Sequence, residues 1–243
     1  MKRPAGEVCP LCGGEGNPSI FHGRHIRECC GVLLAWPHQS RAAYEEQYAS
    51  GYHDEEMIRT QRKTFVERDA EYLVTAARRL QKIRLLYPNA FTLLDVGCGT
   101  GSLVANAPAY AFRSEGVEPS PVMTAWASRI GRKVSCGTWD EVEGLWDVVT
   151  LYDVLEHLLD PLAALEHLRA RLRYDGVLVV EMPEFDAPDG DWTRHIKPAE
   201  HPCLYSCQAA LTLFDRAGLR WDCIDRPLES SLGKVCFYLR PKE

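Results

Sequence analysis

The segment from Thr92 to Leu103 constrains the fold more than any other part of the chain, because an apolar run, an acid and a glycine-rich turn follow one another directly. Leu93, Leu94 and Val96 predict a buried strand. Three glycines then stand at alternate positions, where side chains would obstruct a close approach to the backbone: Gly97, Gly99 and Gly101. A strand, a tight glycine turn and a helix start together predict a cofactor cradle.

The glycine spacing separates this segment from two other cradles. No Lys follows as in the phosphate-binding P-loop, and G-x-G-x-G is not the dinucleotide fingerprint G-x-G-x-x-G. An ordinary glycine-rich turn is the alternative. The run Leu-Asp-Val-Gly-Cys-Gly-Thr-Gly over residues 94–101 resembles motif I of the class I S-adenosylmethionine (SAM) methyltransferases. This resemblance implies a set of SAM-binding residues: Asp95, Gly97, Cys98, Gly99 and Gly101.

An acid follows the glycine turn at a spacing that suits a ribose. Glu118 lies 17 residues beyond Gly101, after the strand-like pair Gly116-Val117. A carboxylate there can accept hydrogen bonds from both ribose hydroxyls, as the acid after a dinucleotide fingerprint does. The methyltransferase resemblance implies the same role, and it implies that Thr138 and Trp139 flank the adenine. Trp139 could equally be a core residue.

A second motif covers residues 147–158, Asp-Val-Val-Thr-Leu-Tyr-Asp-Val-Leu-Glu-His-Leu. It resembles motif IV of the branch of the family that acts on small molecules. The prolines that follow Asp or Asn in amino-methylating nucleic-acid enzymes are absent here. The resemblance implies that Tyr152 ends the fourth strand and faces the methyl group of SAM. His157 follows, and a neutral imidazole can take a hydroxyl proton near pH 7. A structural histidine is the alternative.

Two further acid–base candidates lie in the segment Glu-His-Pro-Cys-Leu-Tyr-Ser over residues 200–206. It resembles the segment of the family that lines the acceptor pocket. The implied candidates are His201 and Tyr205, with His195 behind them. Each histidine could instead be satisfied within its own loop.

Four cysteines near the N-terminus predict a small zinc ribbon. Cys9-Pro-Leu-Cys12-Gly is one knuckle, and Cys30 precedes a glycine in the same way. A regular second knuckle needs Cys at position 27, but Arg27 is there. The fourth ligand of a tetrahedral structural zinc is therefore Cys29, His25 or His22. Strain between adjacent cysteines favours His25, so that the predicted set is Cys9, Cys12, Cys30 and His25. Free thiols are the alternative.

These features predict an α/β fold with a Rossmann-like sheet of seven strands, mostly parallel with an antiparallel last strand, flanked by helices. A helix over 163–172 and a fifth strand over 177–183 belong to it, and Ser206 caps a later helix. Residues 1–38 form the zinc-ribbon-like subdomain, 39–88 a helical connector or lid, and 89–243 the SAM-binding domain. Four residues are candidates to line the lid: Tyr44, Tyr48, Tyr52 and His53.

The net charge of -6 gives no basic footprint, which argues against nucleic acid as the main partner. No apolar run reaches the roughly 20 residues of a membrane span. The N-terminus lacks a signal peptide, and we expect a cytoplasmic protein.

The predicted function is methyl transfer from SAM to a small-molecule acceptor, most readily a hydroxyl oxygen, with C- or N-methylation as alternatives. Two other hypotheses are an RNA or protein methyltransferase that uses the ribbon for recognition, and a non-catalytic SAM-binding partner.

Overall fold

The computed structural model describes residues 7–21, 24–36, 40–50, 65–187, 192–197, 199–226 and 233–242. The candidate zinc ligand His22 and the candidate lid residues Tyr52 and His53 lie outside these ranges, as does the side chain of Tyr48. Tyr44, the remaining lid candidate, is buried.

In this part of the chain, strands form two sheets, one of four strands and one of seven. The strands are β1 Asn17–Phe21, β2 Arg24–Cys29, β3 Val32–Ala35, β4 Thr92–Val96, β5 Arg113–Glu118, β6 Val134–Cys136, β7 Trp146–Tyr152, β8 Leu172–Pro183, β9 Cys203–Tyr205, β10 Leu219–Asp225 and β11 Lys234–Pro241. The helices are α1 Arg41–Ala49, α2 Phe65–Leu86, α3 Ser102–Asn106, α4 Pro121–Arg129, α5 Pro161–Arg169 and α6 Cys207–Arg216.

The larger sheet has the order β10-β11-β8-β7-β4-β5-β6. β4, β5 and β6 pair in parallel, while β11 is antiparallel to both β8 and β10. Parallel neighbours joined by helical crossovers, with one reversed strand near the edge, are the Rossmann-like arrangement that the sequence predicted. The predicted fold class is confirmed.

The fifth strand of this sheet starts earlier than predicted. α5 ends at Arg169, and β8 begins at Leu172 instead of Val177. The peptide N–H of Trp146 donates to the carbonyl of Arg171 at 2.9 Å, and a Cβ on Gly176 would lie 3.0 Å from the Trp146 carbonyl oxygen. The segment therefore runs beside the start of β7. A Cβ on Gly176 would also lie 3.0 Å from the backbone N and O of Arg173, so the chain bends sharply at Asp175 and Gly176 before β8 continues.

The smaller sheet has the order β1-β2-β3-β9 and is antiparallel throughout. Its fourth strand comes from the predicted acceptor-pocket segment, far along the chain. Four buried side chains form its core, with Phe185 packed against them: Ile26, Leu33, Ile196 and Leu204. The N-terminal strands thus share one sheet and one core with the residues that follow His201.

The chain divides into two compact units. One contains residues 1–41, 151–170 and 177–243, and the other contains residues 42–150 and 171–176. β7 and β8 contribute residues to both units. In the described part of the chain, no helix combines the length and apolar character that a membrane span requires.

Two helices that position site residues begin at side-chain caps. Ser120 accepts a hydrogen bond from the N–H of Met123 at the start of α4. Ser206 accepts one from the N–H of Ala209 at 3.1 Å and begins α6, as predicted. Caps of this kind satisfy N–H groups that a helix leaves without partners, and each stabilises its helix by about 1 kcal/mol.

Candidate active site

The glycine-rich turn lies between β4 and α3, with the three motif glycines in the left-handed region. At Gly101 φ is +76°, and an added Cβ would lie 2.8 Å from Cγ2 of Val134, so a larger residue there would clash. The N–H groups of Gly97 and Cys98 donate to the carbonyl of Val117 at 2.8 and 3.2 Å. These bonds hold the turn against β5 and leave its backbone close to the end of that strand.

Cys98 fills space beneath this turn. A Cβ on Gly116 would lie 2.5 Å from the Cys98 sulfur, so residue 116 must be glycine for the Cys98 side chain to fit here. Burial raises the pKa of the Cys98 thiol well above its ordinary value, and the Asp95 and Glu118 carboxylates add to the shift. Cys98 is therefore a protonated packing residue of the turn.

Glu118 ends β5 and is buried, with 8% of its surface exposed. Its Oε2 accepts a hydrogen bond from the N–H of Gly99 at 2.9 Å, and its Oε1 accepts one from the N–H of Ser120 at 2.9 Å. The structure therefore brings the Glu118 carboxylate and the backbone of Gly99 together.

Asp95 lies within β4 and is 5% exposed. The hydroxyl of Thr150 donates to its Oδ1 at 2.6 Å. Burial raises the pKa of Asp95 to about 7, and the Glu118 carboxylate adds to the rise, against the Thr150 hydrogen bond and the Arg79 charge. In the unfolded chain an Asp titrates near 4.

This shift predicts a pH effect on stability. Between about pH 4 and 7 the unfolded chain releases the Asp95 proton while the folded chain keeps it, so this residue's stabilising contribution falls as the pH rises. Asp95→Asn removes the effect. We expect the free energy of unfolding of the variant, relative to wild type, to rise by about 3 kcal/mol between pH 4.5 and 8 in urea titrations. The exposed Asp186→Asn is the control, and parallel curves for Asp95→Asn would contradict the prediction.

A buried ion pair braces the same turn from α2, and no short motif in the sequence reveals it. Asp69 and Arg132 lie 63 positions apart and meet through two hydrogen bonds of 2.5 and 2.7 Å. Arg132 also donates to the carbonyl of Thr100 at 2.8 Å, while the hydroxyls of Thr100 and Ser102 donate to Asp69. The turn is thus held by three charge-assisted hydrogen bonds to this ion pair.

The predicted adenine-flanking residues follow β6. Thr138 is exposed and caps the short 3₁₀ turn Trp139–Glu141, since its N–H donates to the Glu141 carboxylate at 2.9 Å and its hydroxyl donates to Asp140. Trp139 is half-buried. The structure places both residues directly after the strand that pairs with β5.

In the other unit, a sharp turn follows β7. Tyr152 ends the strand and is 8% exposed. Asp153 then adopts a φ of +59°, which few residues other than glycine tolerate, although Asp and Asn do so more readily than most. Lys234 Nζ lies 2.6 Å from Oδ2 of Asp153, and the backbone N–H of Asp153 donates to the Glu181 carbonyl at 2.9 Å. The chain is thereby redirected into the 3₁₀ turn Leu155–His157.

This turn brings His157 and His201 together, two histidines that were predicted separately. Their ring centroids are 4.5 Å apart with an interplanar angle of 86°. Nδ1 of His201 lies 2.6 Å from the His195 carbonyl oxygen, and because a carbonyl only accepts, Nδ1 carries the proton. Burial lowers the pKa of His201 well below its ordinary value, and the His157 ring adds to the shift, so that His201 is neutral at pH 7.

Glu156 lies beside the two histidines and was not among the residues predicted for the site. It is 1% exposed. Burial raises the pKa of Glu156 to about 8, and the Asp153 carboxylate adds to the rise. One ligand atom from each of Glu156, His157 and His201 lies within 4.8 Å of the others. The signal was present in Asp-Val-Leu-Glu-His, where the acid directly precedes the histidine.

Tyr205 lies in β9 and is fully buried. Burial raises the pKa of Tyr205 well above its ordinary value, with the charge of Cys203 next in importance. The phenol therefore keeps its proton at neutral pH, which suits a hydrogen-bond donor and not a base.

The N-terminal cysteines form a compact cluster, and its fourth member differs from the prediction. The sulfur atoms of four residues lie within 4.8 Å of one another: Cys9, Cys12, Cys29 and Cys30. The predicted ligand His25 lies on β2 opposite Ile20 and does not belong to this group, in which Cys29 is the fourth member. Cys30 adopts a φ of +53° directly after β2, and this left-handed turn lets two adjacent thiols reach one centre.

The first knuckle shapes this cluster. The N–H of Gly14 points at the Cys12 sulfur at 3.4 Å, and a Cβ on Gly14 would lie 3.3 Å from the same sulfur. The sulfurs of Cys12 and Cys29 are 3.3 Å apart, and those of Cys29 and Cys30 are 3.7 Å apart. Four thiolates at 2.3 Å from one zinc would be about 3.8 Å apart, so the donor set fits a tetrahedral zinc.

Two solved structures that resemble this chain are those of methyltransferases. A 1,6-didemethyltoxoflavin N1-methyltransferase of Burkholderia thailandensis, solved with S-adenosylhomocysteine, has 20% identity and a TM-score of 0.62, and the match covers 93% of this chain and 99% of that one. A magnesium protoporphyrin IX methyltransferase of Synechocystis, also solved with S-adenosylhomocysteine, has 15% identity and a TM-score of 0.61 over 84% of this chain and 100% of that one. At these identities the likeness establishes the fold.

Sequence comparisons also match methyltransferases. An uncharacterised methyltransferase of Schizosaccharomyces pombe is 27% identical over 139 residues, which are 50% of this chain and 49% of that protein. The chain thus spans about half of the length of this curated relative. A family model described as a methyltransferase domain matches residues 55–224, which include both motifs and both candidate histidines. The chain therefore belongs to this family of methyltransferase-domain proteins.

Proposed function

We propose that the protein transfers a methyl group from SAM to a hydroxyl oxygen of a small molecule. The observation that carries the proposal is the contact between the Glu118 carboxylate and the N–H of Gly99 in the glycine-rich turn. It joins the predicted ribose acceptor to the predicted SAM loop, inside a chain that belongs to a methyltransferase family. The structural neighbours support a small-molecule acceptor, since they include a mitomycin 7-O-methyltransferase with a TM-score of 0.59.

The residues of the glycine-rich turn fit SAM. The left-handed glycines leave the backbone of the turn without side chains, and the Glu118 carboxylate lies against this turn, where it would accept hydrogen bonds from the two ribose hydroxyls. Thr138 and Trp139 would flank the adenine, and Asp95 would lie beneath the methionine end. Bound SAM supplies an electrophilic methyl group on a sulfonium centre. The chain contributes by holding the cofactor and the acceptor in line, which is positioning work.

The acceptor hydroxyl must lose a proton during transfer. Its oxygen forms a bond to the methyl carbon while the carbon–sulfur bond breaks, and the bonding electron pair stays on sulfur. His157 is the candidate base, because it is half-buried and can pass a proton to solvent. His201 is less suited, since its Nδ1–H is committed to the His195 carbonyl. Tyr152 and Tyr205 would donate hydrogen bonds.

We further propose that the four-cysteine cluster holds a structural zinc ion. Four protein ligands leave no open coordination position, so the ion would act on folding and not on the reaction. The sulfur positions and the N–H of Gly14 aimed at Cys12 support this assignment. The cytoplasmic location predicted from the sequence stays a prediction.

Replacing His157 tests the proposed reaction. We expect His157→Gln to lower turnover by about a hundredfold or more, because general acid–base groups contribute that much, while SAM affinity changes by about twofold or less. The measurements are formation of S-adenosylhomocysteine with a panel of hydroxylated acceptors and calorimetric titration of SAM. His167→Gln, on α5, makes the same chemical change as a control. Wild-type turnover in His157→Gln would rule out a role for this imidazole.

A further inference from the structure

We propose that Glu156, His157 and His201 together bind a divalent metal ion that takes the acceptor oxygen as a further ligand. The proposal rests on the proposed methyl transfer from SAM and replaces the His157 base with a metal-bound acceptor hydroxyl. One ligand atom from each of the three residues lies within 4.8 Å of the other two. Ligands about 2.1 Å from a common ion have mutual separations of this order.

The state of the Glu156 carboxyl group is the first support for this site. The residue is 1% exposed, and its Oε2 is buried with no hydrogen-bond partner in the described part of the chain. A buried carboxyl oxygen without a hydrogen-bond partner costs about 1–3 kcal/mol unless something else satisfies it. A cation between Glu156 and the two imidazoles would supply the missing interaction.

The hydrogen bond of His201 is the second support. Its Nδ1 donates to the His195 carbonyl at 2.6 Å, which fixes the tautomer and leaves the Nε2 lone pair available. Metal-bound histidines in proteins almost always have such a bond on their second nitrogen, because it orients the ring and raises its basicity. The His157 ring meets that of His201 at 86°, which makes the pair edge to face and not a parallel stack.

The charges around Glu156 also favour a cation. Asp153 and Glu181 both act on the Glu156 carboxyl, and Lys234 is the one cation that does so among the groups identified. Lys234 Nζ lies 2.6 Å from Asp153 and 4.0 Å from Glu181, so it is already engaged by two carboxylates. With Glu156 ionised, three negative charges would face one positive charge, and a divalent ion would balance them.

The two imidazoles and the carboxylate limit which metal ion can bind and what it can do. Two imidazoles and a carboxylate suit manganese, iron, cobalt or zinc, and three protein ligands leave coordination positions open for an oxygen donor. A cation lowers the pKa of a hydroxyl that binds it. His157 then serves as a ligand and not as the base, and the hydroxyl proton leaves to solvent.

Manganese binding tests the site without any methyl transfer. Mn²⁺ prefers nitrogen and oxygen ligands over thiolates, so it avoids the cysteine cluster. For each full-length protein we would measure bound Mn²⁺ by electron paramagnetic resonance, and resident metal by elemental analysis. We expect wild type to hold one more metal ion per chain than His157→Gln and Glu156→Gln. His167→Gln should match wild type, because His167 lies on α5 and outside the group.

Equal metal content in wild type and His157→Gln, with both proteins folded by circular dichroism, would overturn the proposal. His157 is half-buried, so His157→Gln keeps the test valid if Glu156→Gln fails to fold. Failure of the metal site is distinguishable from failure of the proposed function. Methyl transfer that persists after a chelator has removed the bound metal would refute the metal site and leave the proposed reaction standing. Mn²⁺ binding without turnover of any acceptor would support the metal site and contradict the proposed reaction.

Discussion

Glu118→Ala is expected to weaken the binding of SAM and of S-adenosylhomocysteine by about tenfold or more, which is at least 1.4 kcal/mol. The substitution removes the proposed acceptor of the two ribose hydroxyls. It also leaves the N–H groups of Gly99 and Ser120 without their carboxylate partner in a buried setting. Both effects act on the cofactor, since Gly99 belongs to the turn that would hold its methionine end.

Calorimetric titration of each ligand into the purified variant measures the effect. Glu115→Ala is the matched control, because it removes the same charge from the same strand, three residues earlier, at a half-buried position. Glu118→Gln keeps the size of the side chain and one acceptor oxygen, so we expect a smaller loss. Unchanged affinity in a folded Glu118→Ala protein would remove the ribose role, and unchanged affinity in Asp95→Ala as well would remove the SAM assignment.

The SAM half of the molecule could be predicted from the sequence because its signals are local. Strand, glycine turn and acid follow one another within 27 residues, from Thr92 to Glu118. Their chemistry depends mainly on backbone conformation and spacing, which short motifs encode. The ion pair between Asp69 and Arg132 could not be predicted from a local motif, because these residues are 63 positions apart and only the folded chain brings them together.

The metal predictions were less complete for a related physical reason. Adjacent cysteines normally diverge along a strand, so Cys29 and Cys30 looked unsuited to a common centre. The left-handed Cys30 breaks that alternation, and sequence spacing does not report a backbone dihedral. The histidine group also depends on the left-handed Asp153 and on β9, which pairs with β3 across 170 positions between Leu33 and Leu204.

The pairing of β3 with β9 connects the cysteine cluster to His201. β9 follows His201 directly, and a continuous backbone ladder fixes it. The N–H of Ala35 donates to the Pro202 carbonyl at 3.0 Å, and the N–H of Ser206 donates to the Gly31 carbonyl at 2.9 Å. Gly31 itself follows Cys30. Arg216, at the end of α6, also donates to the carbonyl of Leu11 inside the first knuckle. The cluster therefore supports the strand that positions His201.

Loss of the proposed zinc ion is accordingly expected to disorder the four-stranded sheet. Structural zinc sites contribute on the order of 10 kcal/mol to small domains, so few other changes to this unit would cost as much. We expect Cys12→Ser to lower the metal content by one ion per chain and to remove hydrogen-exchange protection from the amides of β3 and β9. Amides of β4 and β5 should keep their protection, because they lie in the other unit.

Cys136→Ser is the control for this experiment, because Cys136 is an exposed thiol outside the cluster. If the reaction is as proposed, Cys12→Ser should also lose methyl transfer while SAM affinity stays within about twofold of wild type, since the cluster acts on His201 and not on the glycine turn. Wild-type protection of β9 in a zinc-free Cys12→Ser protein would contradict this, and would mean that the apolar core of Ile26, Leu33 and Leu204 suffices to hold the sheet.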